Sequence, residues 1–402
     1  MAKISVLIVL LTFILSLIAS TKSKYCKHDD SAMKRFIDRN TAITGTYLYE
    51  RLVKFPKQSY SIVTLPVYCI VAHLAYHAKG DDYEKLLEFM NLRDEHEMRE
   101  VLSAAVSQIN YKSDTSSKLT FKVYGDHNQE FTRSYKNDFI DICQGQTGYL
   151  DYDCPEQALK KVNEWFEHQS TKYNSVPTTS NEMFDRHDKN AVYYATYMDF
   201  IASFDDEANP NAIIDIDFEV GHNKTLKFPS LYGNGYFKYA KLPDLDAEVI
   251  QMRLKGGKHF AVFYYPCNVH NLEHLMKKLQ DPEVFYGGLE RAEWQCLKIH
   301  ITIGHAEVSN DLFEFVPELC LNSTRFDRVF KSGHPAHVNY GFQALNLYGD
   351  REVRKGQLNS KWCPSKNLPF VKMNHACAYY VIDSNGMNVY AGVIHGPQNY
   401  ST

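Results

Sequence analysis

The chain has 402 residues, 44% of them hydrophobic and 23% charged, with a formal net charge of −4. These proportions belong to ordinary globular proteins and exclude a disordered or fibrous chain. The slightly acidic balance, with no basic stripe interleaved with aromatics, excludes the electrostatic footprint of a nucleic-acid-binding protein.

Residues 1–20, MAKISVLIVLLTFILSLIAS, place Lys3 before an apolar run that ends in the small residues Ala19 and Ser20, the layout of a secretory leader. Nothing after it reaches the length of a membrane span. The remainder, 21–402, has no linker, low-complexity tract or fixed-period repeat and reads as a single domain. Secretion bears on the nine cysteines, all beyond the leader: an odd count in an oxidising compartment leaves at least one thiol unpaired. Spacing does not settle the pairing. Cys143 and Cys154, nearest in sequence, are candidates to close a short loop, whereas Cys69 in VYCIVAHLAY reads as a buried small hydrophobe. Asn223, Asn322 and Asn399 each open an N-x-[ST] glycan acceptor sequence.

In chain order, apolar residues at helical spacing predict helices over 39–54, 66–78, 82–92, 97–110, 157–171 and 271–280. Strand patterns cover 118–125, 190–198, 212–220, 248–254, 259–266, 296–304, 337–348, 376–383 and 388–396. Helices dominate the first half and strands the second, which favours an α+β protein with large, mainly antiparallel sheets. The 28 tyrosines and 23 phenylalanines read as core and strand residues. Phosphate-binding, nucleophile-elbow and zinc-protease motifs are absent, so no catalytic residue, metal or cofactor is assigned and the chain is read as a non-enzyme. His73 with His77, and His270 with His274, stand at helical spacing, but no further ligand is announced nearby, and they read as surface or half-buried side chains.

The order of elements resembles the serpin family from about residue 36 to residue 398. The resemblance is carried by SIVTLPVYCIVAHLAYHAKGDDYEKLLEFMNL, with Leu65 where the family has serine before Pro66, and by KVNEWFEHQSTKYNSV, with Asn163, Trp165 and Thr171 in place. It continues in YFKYAKLPDLDAEVIQMRLKGGKHFAVFYYP, in IHITIGHAEVSNDLFEFVPELCLNSTRF, and in NHACAYYVIDSNGMNVYAGVIHGP with Asn374, Gly392 and Pro397. In AVYYATYMDFIASF, Phe200 and Phe204 match but the family's asparagine is missing. What the resemblance implies is a fold of three mainly antiparallel β-sheets, about nine helices and a long exposed reactive-centre loop. The loop is bait for proteases, and in inhibitory members it enters the main sheet as a new strand after cleavage.

The charged stretch 347–370 takes the place of that loop. Gly349 aligns as the hinge glycine and is followed by Asp350, Arg351, Glu352, Val353 and Arg354, then Lys355. One register points Asp350, Glu352 and Arg354 inward, and the other Arg351, Val353 and Lys355. Each unpaired buried charge costs several kcal/mol, so insertion should fail. The expected scissile region spans Lys361, Trp362, Cys363, Pro364, Ser365 and Lys366, with Lys361-Trp362 open to a trypsin-like enzyme. The expectation is a secreted, extracellular, monomeric serpin-fold protein without suicide inhibition, acting as a binding, carrier or storage protein. Its partners would be an extracellular protease or a small hydrophobic ligand. The alternative is an extracellular serine or cysteine protease inhibitor using 350–369 as bait.

Overall fold

The computed structural model describes residues 31–110, 116–169, 184, 188–202, 204–205, 212–221, 224–302, 306–311, 313, 316–349, 363 and 367–396. The leader 1–20, Asn223, Asn399 and Pro397 lie outside the described residues.

The first half supplies α1 (Ala32–Lys54), β1 (Tyr60–Ile62), α2 (Leu65–Ala75), α3 (Asp81–Met90), α4 (Glu95–Ile109), β2 (Ser116–Asp126), α5 (Arg133–Cys143), β3 (Gln146–Leu150) and α6 (Pro155–Gln169). The helix starts follow from capping chemistry. Ser31 accepts from the Lys34 amide, Thr132 from that of Tyr135, and Asp94 from that of Glu97, whose carboxylate accepts from the Arg93 amide and pairs with Arg35 at 2.6 Å. Helix α2 opens with Pro66 in its first turn, where no amide donor is missed, and is buried on every side.

The strand-rich half contains β4 (Ala191–Ala202), β5 (Ala212–Gly221), β6 (Lys224–Leu242), β7 (Ala247–Arg253), β8 (His259–Pro266), α7 (Leu272–Lys278), α8 (Pro282–Glu290), β9 (Glu293–Thr302), β10 (Ala306–Asp311), β11 (His337–Gly349), β12 (Phe370–Lys372), β13 (Cys377–Asp383) and β14 (Asn388–Ile394). Eight α-helices are present among the described residues, against the nine expected. The strands form two hydrogen-bonded sheets. One has five strands in the order β10-β11-β4-β2-β3, and the other has nine, β1-β14-β13-β8-β7-β6-β9-β12 with β5 on β6. The expected third sheet is fused to the second because β6 is continuous. Its first half pairs β5, its middle pairs β9 and its end pairs β7.

The five-stranded sheet separates two cores. On β4, Val192, Tyr194, Met198 and Phe200 join the large cluster around α2, while Ala191, Tyr193, Ala195 and Tyr197 join a smaller one with Trp165 and Phe166 of α6. The strand's period of two therefore serves two buried faces. Gly392 of β14, opposite Ser61 of β1, is required by contact. A Cβ there would lie 2.4 Å from the Tyr60 carbonyl oxygen.

Candidate functional site: the sheet gap and the anchored end of the loop

Strand β11 lies directly beside β4 in parallel register from His337↔Ala191 to Gly349↔Ala202. The pairing ends at Gly349, the residue expected from the family resemblance to be the hinge. Both faces of the seam are closed. On one face Met198 and Phe200 are fully buried; on the other Tyr197 is fully buried and Asp199 nearly so. Asp199 already accepts a 2.6 Å hydrogen bond from the Tyr197 hydroxyl. Helix α6 covers this second face, with Trp165 and Phe166 packed in one cluster with Tyr193, Ala195 and Tyr197.

Beneath the seam a buried polar network ties β4 to α2 and α5. His73 Nε2 lies 3.0 Å from the Tyr135 carbonyl oxygen, which can only accept, so Nε2 carries the proton. Its Nδ1 then accepts from the Tyr194 hydroxyl at 3.0 Å, and Tyr194 accepts from the Tyr135 hydroxyl at 2.8 Å. Burial, reinforced by neighbouring His77, holds the His73 pKa well below the ordinary histidine value. On β11, Gln343 donates to the Val63 carbonyl at 3.2 Å.

The first histidine pair differs from the surface or half-buried reading, whereas His270 and His274 are exposed as that reading has them. His73 and His77 are buried, with rings 5.4 Å apart, and burial first and Arg328 second lower the His77 pKa to about 4. Asp138 Oδ2 stands 3.5 Å from His77, but the imidazole is neutral at physiological pH and the contact lacks hydrogen-bond geometry. His270 and His274 do not share a helix face, because α7 begins at Leu272.

Hinge residues Asp350, Arg351, Glu352, Val353 and Arg354, and scissile-region residues Lys361, Trp362, Pro364, Ser365 and Lys366, lie outside the described residues. Cys363 is described. It is buried and joined by a disulfide to Cys296 of β9, with Cα atoms 5.6 Å apart and a sequence separation of 67. Cys296 sits opposite Tyr236 of β6, whose ring stacks on Trp294 at 5.3 Å. Seven residues on, β12 pairs with β9 through Phe370↔Lys298 and Lys372↔His300. The proposed Cys143–Cys154 loop is not closed: Cys143 is a buried thiol donating to the Cys69 carbonyl. Cys69 is buried and unbridged, as its apolar context implies. Asn322 lies exposed in a turn.

The family comparison settles what this architecture is. The serpin (serine protease inhibitor) family model matches residues 40–310. The chain belongs to the serpin family. Among its relatives, alaserpin of Manduca sexta is 22% identical over 79% of this chain and 79% of its own length. Antichymotrypsin-2 of Bombyx mori is 22% identical over 89% of this chain and 96% of its own. Human thyroxine-binding globulin, in its complex with the hormone, superposes with a TM-score of 0.76 at 12% identity, covering 92% of this chain and all of that one. Among the described residues of this serpin the main sheet has five strands, with β4 and β11 paired directly.

One further surface bears on ligands. A groove of about 440 Å³ runs along α6, lined by Glu156, Leu159, Lys160, Asn163, Glu164 and Glu167. Its charged lining does not suit a hydrophobic ligand. No helix among the described residues is long and apolar enough to cross a membrane.

Proposed function

We propose that this serpin is a secreted, extracellular binding protein without suicide-type inhibition, made as one domain over 21–402 after removal of leader 1–20. The observation that carries the reading is the double closure of the β4–β11 seam beside a charged hinge. At the depth of Met198, Tyr197 and Phe200 a new strand has apolar side chains on both sides, and the chain after Gly349 offers charge in either register. At several kcal/mol per unpaired ion, two or more such residues consume the whole stability margin of a domain. Family likeness, not a pocket, supports the partner classes: an extracellular protease, or a small hydrophobic ligand as in the neighbouring thyroxine-binding globulin, at a site other than the charged α6 groove. The chain acts on neither as an enzyme.

The test is incubation of the purified protein with a panel of trypsin-like and papain-like proteases, followed by boiling in detergent. The expected result is a nicked chain and no surviving complex; a detergent-stable adduct would refute the reading.

A second reading is favoured by one specific feature. Cys363 is fixed to β9 within the region expected to be cut, and a braced loop can occupy a protease cleft reversibly because little freedom is lost on binding. Inhibition that is fully relieved by dilution, with no adduct, supports this reading over the first.

A further inference from the structure

The disulfide has a mechanical consequence that depends on where Cys296 lies relative to the seam. Past Ala202, β4 runs on to Phe204, which bridges to Leu254, and to Asp205, whose amide donates to the Arg253 carbonyl at 3.1 Å. The Arg253 guanidinium sits 5.1 Å from the centre of the Trp294 ring, two residues from Cys296 on β9. Cys296 is therefore at the Ala202–Gly349 end of the seam. A strand entering between β4 and β11 starts beside Gly349 and runs antiparallel to both, toward the Ala191–His337 end. Over the length from Gly349 to Cys363 that path covers roughly 45 Å at about 3.3 Å per residue. Entry thus requires Cys363 to leave β9 and travel to the opposite end of the sheet. The disulfide forbids this as long as Cys363 remains on the entering piece.

We propose that Cys296–Cys363 is a latch, a second restraint independent of the charged hinge, that frees the bait segment from β9 after a cut before Cys363 and keeps it tethered after a cut beyond it; this rests on reading 350–366 as the bait. A cut before Cys363 parts the segment from the latch, leaving Cys363 on the carboxyl-terminal piece. A cut beyond Cys363 leaves the segment held at both ends, by the β11–β4 pairing at Gly349 and by the disulfide at Cys363. The new carboxyl-terminal end stays on β9, and so does the new amino-terminal end, through the Phe370↔Lys298 pairing of β12. Both products of such a cut remain side by side on one strand. Reduction of the disulfide by a thiol converts the second class of cut into the first: two electrons and two protons from the reductant yield the Cys296 and Cys363 thiols.

The experiment separates the latch from the charged hinge. A recognition sequence for a site-specific protease is inserted after Gln357 in one variant and after Ser365 in another. Each is made with the wild-type hinge and with Asp350, Arg351, Glu352, Arg354 and Lys355 changed to alanine, and each hinge is made with and without Cys363→Ser. Melting temperature is measured before and after the cut. With the neutral hinge, a cut after Gln357 should raise it sharply, on the order of 10 °C or more, whether or not the latch is present. A cut after Ser365 should raise it only in the Cys363→Ser or thiol-reduced protein. On denaturing gels, the carboxyl-terminal piece from the cut after Gln357 should stay attached until reductant is added.

The latch is refuted if the neutral-hinge protein with its disulfide intact gains stability on cutting after Ser365, or if removing Cys363 fails to restore that gain. It is equally refuted if no neutral-hinge form gains at all, since the latch then restrains nothing, or if the gel pieces separate without reductant. A gain in the wild-type hinge cut after Gln357 would instead count against the charge argument under the proposed function and leave the latch standing.

Discussion

Replacing Tyr194 with phenylalanine removes one oxygen from the network under the main sheet and leaves everything apolar in place. Two partners lose their bonds. His73 Nδ1 loses its donor at 3.0 Å, and the Tyr135 hydroxyl loses its acceptor at 2.8 Å. Both residues are completely buried, so water cannot compensate from the surface. Each orphaned polar group costs about 1–3 kcal/mol, which sets the loss for the two at about 2–6 kcal/mol. For a chain of this size that corresponds to a fall in melting temperature of roughly 3–8 °C. The assay is reversible urea unfolding followed by fluorescence, with Tyr236→Phe as the control. Tyr236 lies at the exposed surface of β6, where its ring stacks on Trp294, and phenylalanine keeps the stack; the control should stay within about 0.5 kcal/mol of wild type. If Tyr194→Phe is no less stable than Tyr236→Phe, the network does not hold β4 and the description of the seam is wrong.

Gly392→Ala should destabilise by about 1–3 kcal/mol or more, because the new methyl meets the Tyr60 carbonyl oxygen of β1 and the Tyr379 hydroxyl; urea midpoints of purified variant and wild type check it. Acid should weaken the fold. Burial lowers the pKa values of His77, His259 and His395 to about 4 from an ordinary value near 6.5. The unfolded chain therefore binds more protons between pH 6.5 and 4, and stability falls as pH drops through that window, by at most about 1.4 kcal/mol per pH unit for each group. Asp383, raised to about 6 by burial, opposes this with the reverse slope between pH 4 and 6, and being one group against three it reduces the fall without cancelling it. Unfolding curves across pH 4–7 measure the net slope, and a flat profile would show that the buried imidazoles do not titrate as described.

Much of the fold was legible because its elements are strongly periodic. The runs 66–78 and 337–348 mapped onto α2 and β11 with ends displaced by only a few residues. Helix α5 was missed although Tyr135, Phe139, Ile142 and Cys143 form a helical stripe, since RSYKNDFIDIC is short and rich in charge. Helix α8 hid behind Gly287 and Gly288. The second glycine is there because a Cβ would strike the Tyr264 hydroxyl, a tertiary requirement that local propensity does not show. Fusion of the sheets through β6 was hidden because no local pattern reveals that one strand changes partners along its length. At the candidate site the strand that ends at Gly349 was readable from its alternating pattern, whereas the Cys296–Cys363 bridge was not: two cysteines 67 residues apart carry no spacing signal. The His73 network was half visible in the i, i+4 histidines; what no local pattern revealed was that Tyr194 of β4 meets His73.

The central claim is that the charged segment after Gly349 stays out of the main sheet. It is tested most directly by cutting the otherwise wild-type chain at a protease site placed after Gln357 and comparing melting temperatures before and after. A cut chain that melts where the intact one does is the outcome expected here, and one that melts far higher would mean that Asp350 to Lys355 had entered between β4 and β11.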